Sequence, residues 1–274
     1  METDISQEPI VVAVVLNYLR PLDTLACLSS IRDSSYSSLR ILVVDNASPD
    51  DSVNRIRNSH PDIEVIESKI NGGYAGGMNI GIRYAMKFSP EYLLLVNSDT
   101  IVAEDFIEKL VEVMNVHQRA AAVSGTIYYF PEKEKIWYAG GTMRYWRASG
   151  FTHHTLPEYR KDITIDAIPV SFISGCGFLV RVSSLEQVGL FNEQFFMYLE
   201  DTELCSRFLK NNFELLYLPT AKLYHKVINN KTQAFQLYFS VRNRLFFLKL
   251  SAKRFTKFVG NLYFFSVLVL KGLF

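Results

Sequence analysis

Two adjacent acids, Glu200 and Asp201, follow the apolar run Phe195-Phe196-Met197-Tyr198-Leu199 and open a stretch with helical spacing. Ionised carboxylates are expensive to leave beside so much apolar surface unless they are paired or have a task. A third acid, Asp99, closes the strand-like run Tyr92-Leu93-Leu94-Leu95-Val96-Asn97-Ser98. Two carboxylates at the ends of separate core elements are the minimum equipment for metal-assisted group transfer. One holds a cation, the other accepts a proton. Acids are also favoured in the first turn of any helix, so Glu200-Asp201 alone reads equally well as helix-terminal charge. His225, in Leu223-Tyr224-His225-Lys226, offers a nitrogen ligand, although a lone histidine is more often structural. Mg²⁺ or Mn²⁺ suits such a set, because both favour oxygen ligands and share sites with phosphates.

The glycine-rich segment Asn71-Gly72-Gly73-Tyr74-Ala75-Gly76-Gly77-Met78-Asn79 precedes a helical pattern. Backbone amides at such a helix start can face a phosphate or a nucleobase; a plain tight turn is an equally good reading. It is not the dinucleotide fingerprint, which follows a first strand, and no phosphate-cradling GxxxxGK[ST] occurs. In Ser171-Phe172-Ile173-Ser174-Gly175-Cys176-Gly177, the glycines flanking Cys176 allow a close backbone approach to a ligand or mark a bulge.

These groups need a scaffold. Ile10–Leu16 and Arg40–Asp45 are near-continuous apolar runs, as expected of strands buried on both faces. Helical spacing over Pro21–Ile31, Gly76–Phe88 and Ala103–His117 alternates with strands at Ile63–Glu67 and Tyr92–Val96. Ser48-Pro49-Asp50-Asp51 reads as a capped helix start with Ser48 as the cap. The β-α-β-α order predicts a mostly parallel sheet covered by helices. Ligands in such sheets sit beyond the carboxyl ends of strands, where Asn17, Asp45, Asn97 and Asp99 fall. Trp137 and Gly140-Gly141 lie in a less regular stretch, Ile127–Pro169, that predicts a hairpin and a specificity loop. A helix over Glu200–Lys210, a strand over Glu214–Leu218 and a helix past Gln233 complete the pattern.

The net charge of +1 hides an asymmetry: after Glu214 the chain has ten Lys or Arg and no acid, so the front is −9 and the tail +10. A basic block beside an acidic body points to a polyanionic partner, here an anionic membrane surface rather than nucleic acid. The uncharged run Phe258–Leu270 is shorter than the roughly 20 residues that span a bilayer. It reads as an interfacial helix or a homodimer contact, with core packing the plainer alternative. Cys27, Cys176 and Cys205 have no metal-ligand spacing and read as reduced thiols, and the polar N-terminus offers no secretory segment. The chain is therefore expected in the cytoplasm, peripheral at the inner face of the cell membrane.

Taken in order, Asn17-Tyr18, Val44-Asp45-Asn46-Ala47-Ser48, Asn71 to Asn79, Asn97-Ser98-Asp99, Glu200-Asp201-Thr202-Glu203-Leu204-Cys205-Ser206-Arg207 and Arg242-Asn243 resemble the family 2 glycosyltransferases, and most of all their bacterial rhamnosyltransferase-like branch. The resemblance runs from about Ile10 to about Leu250. It implies a GT-A fold: a Rossmann-like, mostly parallel sheet flanked by helices, with amphipathic helices at the C-terminus. Residues 1–225 would form the catalytic domain, with a nucleotide-sugar half to about 100 and an acceptor half beyond, and 226–274 a basic, apolar helical extension. The implied reaction is inverting transfer from a dTDP- or UDP-linked sugar, with rhamnose a first guess, to a polysaccharide or polyprenyl-linked acceptor. Asp45 would contact the nucleobase, with Asn17, Asn71, Gly73 and Asn79 nearby and Asn97 and Ser98 along the donor. Asp99 matches the last position of the metal-binding DxD, with Asn97 in place of the first acid, and His225 completes the metal site. Asp201 matches the catalytic base and Glu200 stands beside it at the acceptor site. Trp137, Gly175, Cys176 and Gly177 fall on the acceptor side. A non-catalytic nucleotide-sugar-binding or scaffold protein and a sugar nucleotidyltransferase are the alternatives. The glycine-rich basic loop that the latter carries after its first strand is replaced here by Asn17-Tyr18-Leu19-Arg20-Pro21.

Overall fold

The runs of β-branched and leucine residues that begin the chain become the centre of a ten-stranded sheet. A computed structural model describes residues 8–147, 150–153, 167–227 and 234–270. In chain order the elements are β1 (Val11–Asn17), α1 (Pro21–Arg32), β2 (Leu39–Asp45), α2 (Ser52–Ser59), β3 (Glu64–Glu67), α3 (Gly73–Ala85), β4 (Tyr92–Asn97), β5 (Thr100–Val102) and α4 (Phe106–Val116). They continue as β6 (Ala120–Tyr129), β7 (Ile136–Tyr138), β8 (Gly141–Arg144), β9 (Gly150–His153), β10 (Ile168–Val170), β11 (Gly177–Arg181) and α5 (Val182–Val188). The last are α6 (Glu200–Lys210), β12 (Glu214–His225), α7 (Ala234–Ser251) and α8 (Arg254–Leu270).

The sheet order is β10-β12-β6-β11-β4-β1-β2-β3, with β5 on β12 and β7 on β6. The strands β3, β2, β1 and β4 are parallel, as the alternating pattern predicts. Strand β11 then enters antiparallel between β4 and β6, and β12 lies parallel to β6. Side chains of β1 and β4 from Val11 to Val15 and from Tyr92 to Val96 are fully buried. Each large apolar side chain so placed contributes about 1.5–3 kcal/mol relative to exposure. Helices α1, α3 and α4 cover the sheet through Leu28, Ile31, Met78, Ile82, Phe106 and Leu110.

The register aligns the polar strand ends. Asn17 pairs with Asp45, and Leu16 with Asn97. The helix expected at Ser48 starts later, at Ser52. There the Asp50 carboxylate accepts from the Ser52 amide and hydroxyl, while Ser48 turns back to bond Asp45. Strand β6 had no counterpart in the sequence reading. The hairpin expected around Gly140-Gly141 is β8–β9, and the residues that follow it, 154–166, lie outside the described residues. Helix α7 puts Phe247 into the main core, and Leu248 packs with Phe264 of α8 in a smaller cluster.

Candidate active site

The site is built where the glycine segment, the β4 end and the start of α6 meet. Gly175, in the turn before β11, is the junction. Its amide donates to Asp201 Oδ2 at 2.9 Å and its carbonyl accepts the Tyr74 hydroxyl at 2.7 Å. A side chain at 175 would crowd both, since a Cβ there would stand 3.3 Å from Asp201 and 3.5 Å from the Tyr74 oxygen. Next door, Cys176 O accepts the Asn97 amide at 2.9 Å, tying this turn to the strand end that carries Asp99. Backbone hydrogen bonds thus bring the two predicted carboxylates to one neighbourhood. Tyr74 registers that convergence: burial, then Glu200 and Asp201, and further off Asp99, all push its phenol well above its ordinary pKa. It is a neutral hydrogen-bond donor.

Asp201 and Glu200 open α6 as expected, preceded by a distorted loop. Phe196, Tyr198 and Leu199 have φ of 62, 70 and 70°, a region costly for residues with side chains. The loop is held by Asn243 from α7, a fully buried side chain whose amide nitrogen lies 2.8 Å from each of the carbonyls of Phe195, Met197 and Tyr198. Gly73, with φ of +68°, lets the glycine segment pass against the Phe196 carbonyl, with which a Cβ would collide. Burial raises Asp201 above the ordinary carboxylate range, against amide donation from Gly175 and Thr202. Burial and then the Asp201 charge raise Glu200 well above it. A carboxyl raised in this way binds a proton more readily than an ordinary carboxylate, as a general base requires.

Asp99 lies in the turn between β4 and β5. Arg20 NH1 donates to its Oδ2 at 2.6 Å, and His225 Nε2 lies 3.2 Å from its Oδ1. Burial would raise Asp99, but the His225 and Arg20 contacts outweigh it and hold the carboxyl below its ordinary value. Arg20 also pairs with Asp23, which Lys226 reaches at 3.1 Å, so two cations stand beside the predicted metal ligand. The Trp137 ring meets His225 edge-on at 4.9 Å between centroids.

Among the described residues, no three His, Cys, Asp or Glu gather as a metal cluster. Yet, among the described residues, Asn97 Oδ1, His225 Nδ1, Glu200 Oε2 and Ser184 Oγ are buried with no hydrogen bond, and Asp99 Oδ1 has only the His225 Nε2 contact at 3.2 Å. Native interiors rarely leave such groups unpaired without reason. A carboxylate, an imidazole and an amide oxygen fit Mg²⁺ or Mn²⁺ when diphosphate oxygens complete the shell.

The donor-side residues are mostly engaged with one another. Asn17, fully buried, donates to Asp45 Oδ1 at 2.6 Å and accepts from Thr24 at 2.7 Å. Ser48 donates to both Asp45 oxygens. Asn71 Oδ1 accepts from Asn46 and from the Gly73 amide, shaping the loop. Asn79 reaches away from the strand ends to both backbone groups of Phe191 and to Glu193. Ser98 is buried between Asn97 and Asp99, and Cys176 is buried with its thiol pushed well above its ordinary value by burial and then Asp99. Gly177 packs where a Cβ would meet Leu223 at 2.6 Å. The sequence reading gave no role to Arg20, Tyr74 or Asn243, although Arg242-Asn243 was among the motifs that carry the family resemblance.

A parallel half-sheet with its polar groups beyond the carboxyl ends, joined across an antiparallel strand to a second half bearing a carboxylate pair, is the GT-A fold. The chain belongs to glycosyl transferase family 2, whose profile matches residues 11–189. It is 31% identical over 212 residues to the low-salt glycan biosynthesis hexosyltransferase Agl10 of Haloferax volcanii, covering 74% of this chain and 65% of that protein. The match therefore spans slightly less than two thirds of that relative's length. It is 24% identical to the N-acetylglucosaminyl-diphospho-decaprenol L-rhamnosyltransferase of Mycobacterium tuberculosis, over 72% of this chain and 70% of that one. Among solved structures, GalNAc-T7 with UDP, GalNAc and Mn²⁺ superposes with a TM-score of 0.69 at 14% identity, covering 86% of this chain and 48% of that one. The mannosyltransferase PcManGT of Pyrobaculum calidifontis, in complex with GDP-Man and Mn²⁺, gives 0.64 at 16% identity, covering 89% and 64%. At such identities these likenesses speak for the fold.

Proposed function

We propose that the protein is an inverting glycosyltransferase that moves a hexosyl or rhamnosyl group from a dTDP- or UDP-linked donor to a hydroxyl of a polysaccharide or polyprenyl-linked acceptor. The observation that carries this reading is the meeting at Gly175 of a raised, backbone-anchored carboxylate, Asp201, with the strand end that presents Asp99. In the step itself the acceptor O–H loses its proton to Asp201. The oxygen forms a bond to the anomeric carbon as the bond from that carbon to the diphosphate breaks. Nucleoside diphosphate leaves, and the configuration inverts. Glu200, beside Asp201 at the start of α6, is placed to hold an acceptor hydroxyl. The Tyr74 phenol fixes the Gly175 turn, and Arg20 and Lys226 oppose the charge that grows on the leaving diphosphate. Asp99, His225 and Asn97 would hold a divalent cation, which when bound supplies further stabilisation of that charge.

The hexosyltransferase of Haloferax and the rhamnosyltransferase of Mycobacterium support the sugar class, and the diphospho-decaprenol acceptor of the latter supports a lipid-linked one. Incubation with a panel of nucleotide sugars, a polyprenyl-diphosphate-linked sugar as acceptor and Mn²⁺ tests the reading: release of nucleoside diphosphate with glycosylation of the acceptor supports it, whereas pyrophosphate released from a nucleoside triphosphate and a sugar 1-phosphate would establish a nucleotidyltransferase instead. Asp201→Asn should cut transfer by about 10²–10⁴-fold, as loss of a general base does, while donor binding persists. Full turnover by that variant ends the assignment of the base.

A further inference from the structure

Asp99 is the one acid among the predicted metal ligands, and each of its oxygens already faces a nitrogen. Arg20 NH1 donates to Oδ2 at 2.6 Å, and His225 Nε2 lies 3.2 Å from Oδ1. Arg20 is anchored from behind. Its Nε lies 2.9 Å from Asp23 Oδ2, and Asp23 Oδ1 accepts from Lys226 Nζ at 3.1 Å. The Lys226 amide in turn donates to the Asp99 carbonyl at 2.8 Å, which ties the far end of the network to the same turn. The local sequence sets this arrangement. Arg20 immediately precedes Pro21, the first residue of α1, and Asp23 lies in the first turn of that helix. The guanidinium therefore offers Nε to its own helix and NH1 across to the turn between β4 and β5. The side chains of Arg20, Asp23, Asp99 and Lys226 are between 17 and 31% exposed, so solvent screens their charges only in part.

We propose that Arg20 is a positioning residue that withholds Asp99 from a divalent cation until a nucleoside diphosphate arrives, so that cation and donor bind as a coupled pair. Charge balance is the reason. In this network the carboxylates of Asp23 and Asp99 are matched by Arg20 and Lys226. A divalent cation entering alone meets a guanidinium on the carboxylate it needs and leaves the cluster with uncompensated positive charge. A nucleoside diphosphate entering with it brings the opposing charge and gives Arg20 NH1 a new acceptor. The guanidinium suits this exchange, because NH1 can turn from Asp99 to a phosphate oxygen while Nε stays on Asp23. The single nitrogen of a lysine has no second arm to hold. This role rests on the reading of Asp99 and His225 as cation ligands.

Mn²⁺ binding to the full chain tests the exchange, followed by the paramagnetic resonance of free Mn²⁺ with and without UDP or dTDP, against protein-free controls. Wild-type protein should bind Mn²⁺ weakly alone and at least about tenfold more tightly with nucleotide, and nucleotide should bind more tightly with Mn²⁺ by the same factor. Arg20→Gln should tighten Mn²⁺ binding without nucleotide by about tenfold, the size of one charge-assisted contact. The same variant should weaken nucleotide binding to the Mn²⁺-saturated protein by a similar factor. These changes have opposite signs, whereas a substitution that merely loosened the site would weaken both. Asp23→Asn, which removes a negative charge from the network, should weaken Mn²⁺ binding without nucleotide. An Arg20→Gln protein that binds Mn²⁺ alone no more tightly than wild type overturns the proposal, as does a wild-type chain that holds Mn²⁺ equally with and without nucleotide. Asp99→Asn separates the two levels of failure. If it leaves Mn²⁺ binding in the presence of nucleotide unchanged, the cation does not sit on Asp99 and the ligand reading falls together with the role of Arg20. If it weakens that binding while Arg20→Gln changes nothing, only the role of Arg20 falls.

Discussion

Asn243→Ala removes the clamp on the loop that leads into the carboxylate pair. An amide nitrogen has two protons to donate, and here it stands 2.8 Å from three carbonyls, so two bonds are made and one is shared. Each net hydrogen bond is worth about 1 kcal/mol, and a buried carbonyl left unsatisfied costs about 1–3 kcal/mol. With water entering the vacated space to recover part of that, the expected loss is about 2–4 kcal/mol of stability. The strained residues Phe196, Tyr198 and Leu199 would then relax, since each left-handed conformation costs on the order of 1–2 kcal/mol. Relaxation shifts Asp201, and a displacement of about 1 Å in a reacting group costs up to roughly 10²-fold in rate. Urea unfolding followed by fluorescence gives the stability, where the midpoint should fall and the slope stay constant. Initial transfer rates well below the melting temperature give the second readout, where kcat should fall with little change in donor KM. Asn243→Asp, which aims a carboxylate at the same carbonyls, should be worse than alanine on both. A stability change under about 0.5 kcal/mol, typical of an inconsequential surface site, together with a wild-type kcat, refutes the clamp.

Asp99→Ala should weaken Mn²⁺-dependent binding of UDP, because it removes a charged ligand and the partner of His225 and leaves Arg20 with Asp23 alone. A charge-assisted contact of about 1.5–3 kcal/mol corresponds to a loss of roughly ten- to a hundredfold by titration calorimetry, and an unchanged affinity counts against the ligand role. Glu200→Gln should stabilise the protein near neutral pH. Burial raises the Glu200 pKa in the folded state, so between the unfolded and folded values the native chain retains a proton that the unfolded chain has lost. Stability therefore falls as pH rises through that window. Glutamine removes this contribution, so the melting temperature should rise at neutral pH and decline less steeply with pH. Asp201, raised in the same direction, leaves a residual slope. An unchanged profile would show that Glu200 titrates normally.

The parallel half of the fold was legible because its strands are buried on both faces and read as unbroken apolar runs. Val11–Asn17, Leu39–Asp45 and Tyr92–Asn97 fall within a residue of expectation, as does helix Glu200–Lys210. Strand β6 was not legible. Its sequence, Ala-Ala-Ala-Val-Ser-Gly-Thr-Ile-Tyr-Tyr, has small and polar residues at positions that are nonetheless buried, because helix α4, Ala221 and the neighbouring strands crowd it. The expected cap at Ser48 failed for a related reason: the local pattern fits a helix start, but a buried carboxylate at Asp45 competes for the same hydroxyl and wins. Asp99, His225, Glu200 and Asp201 were visible as types at strand and helix ends. Arg20 and Asn243 were not, because their partners are 79 and 45–48 residues away in sequence.

The antiparallel insertion of β11 explains why the strand end that carries Asp99 and the turn that holds Asp201 meet. In a purely parallel sheet the segment entering β11 would lie at the opposite edge from the end of β4. Running the other way, β11 begins where β4 finishes, with Gly177 paired to Val96. Gly175 and Cys176 therefore sit beside Asn97 by register alone. The hydrogen bond from the Gly175 amide then ties Asp201 to the strand end that carries Asp99. The placement of Asp201 relative to Asp99 thus rests on that contact and on the clamp at Asn243, while Arg20 and Lys226 reach the site on long side chains.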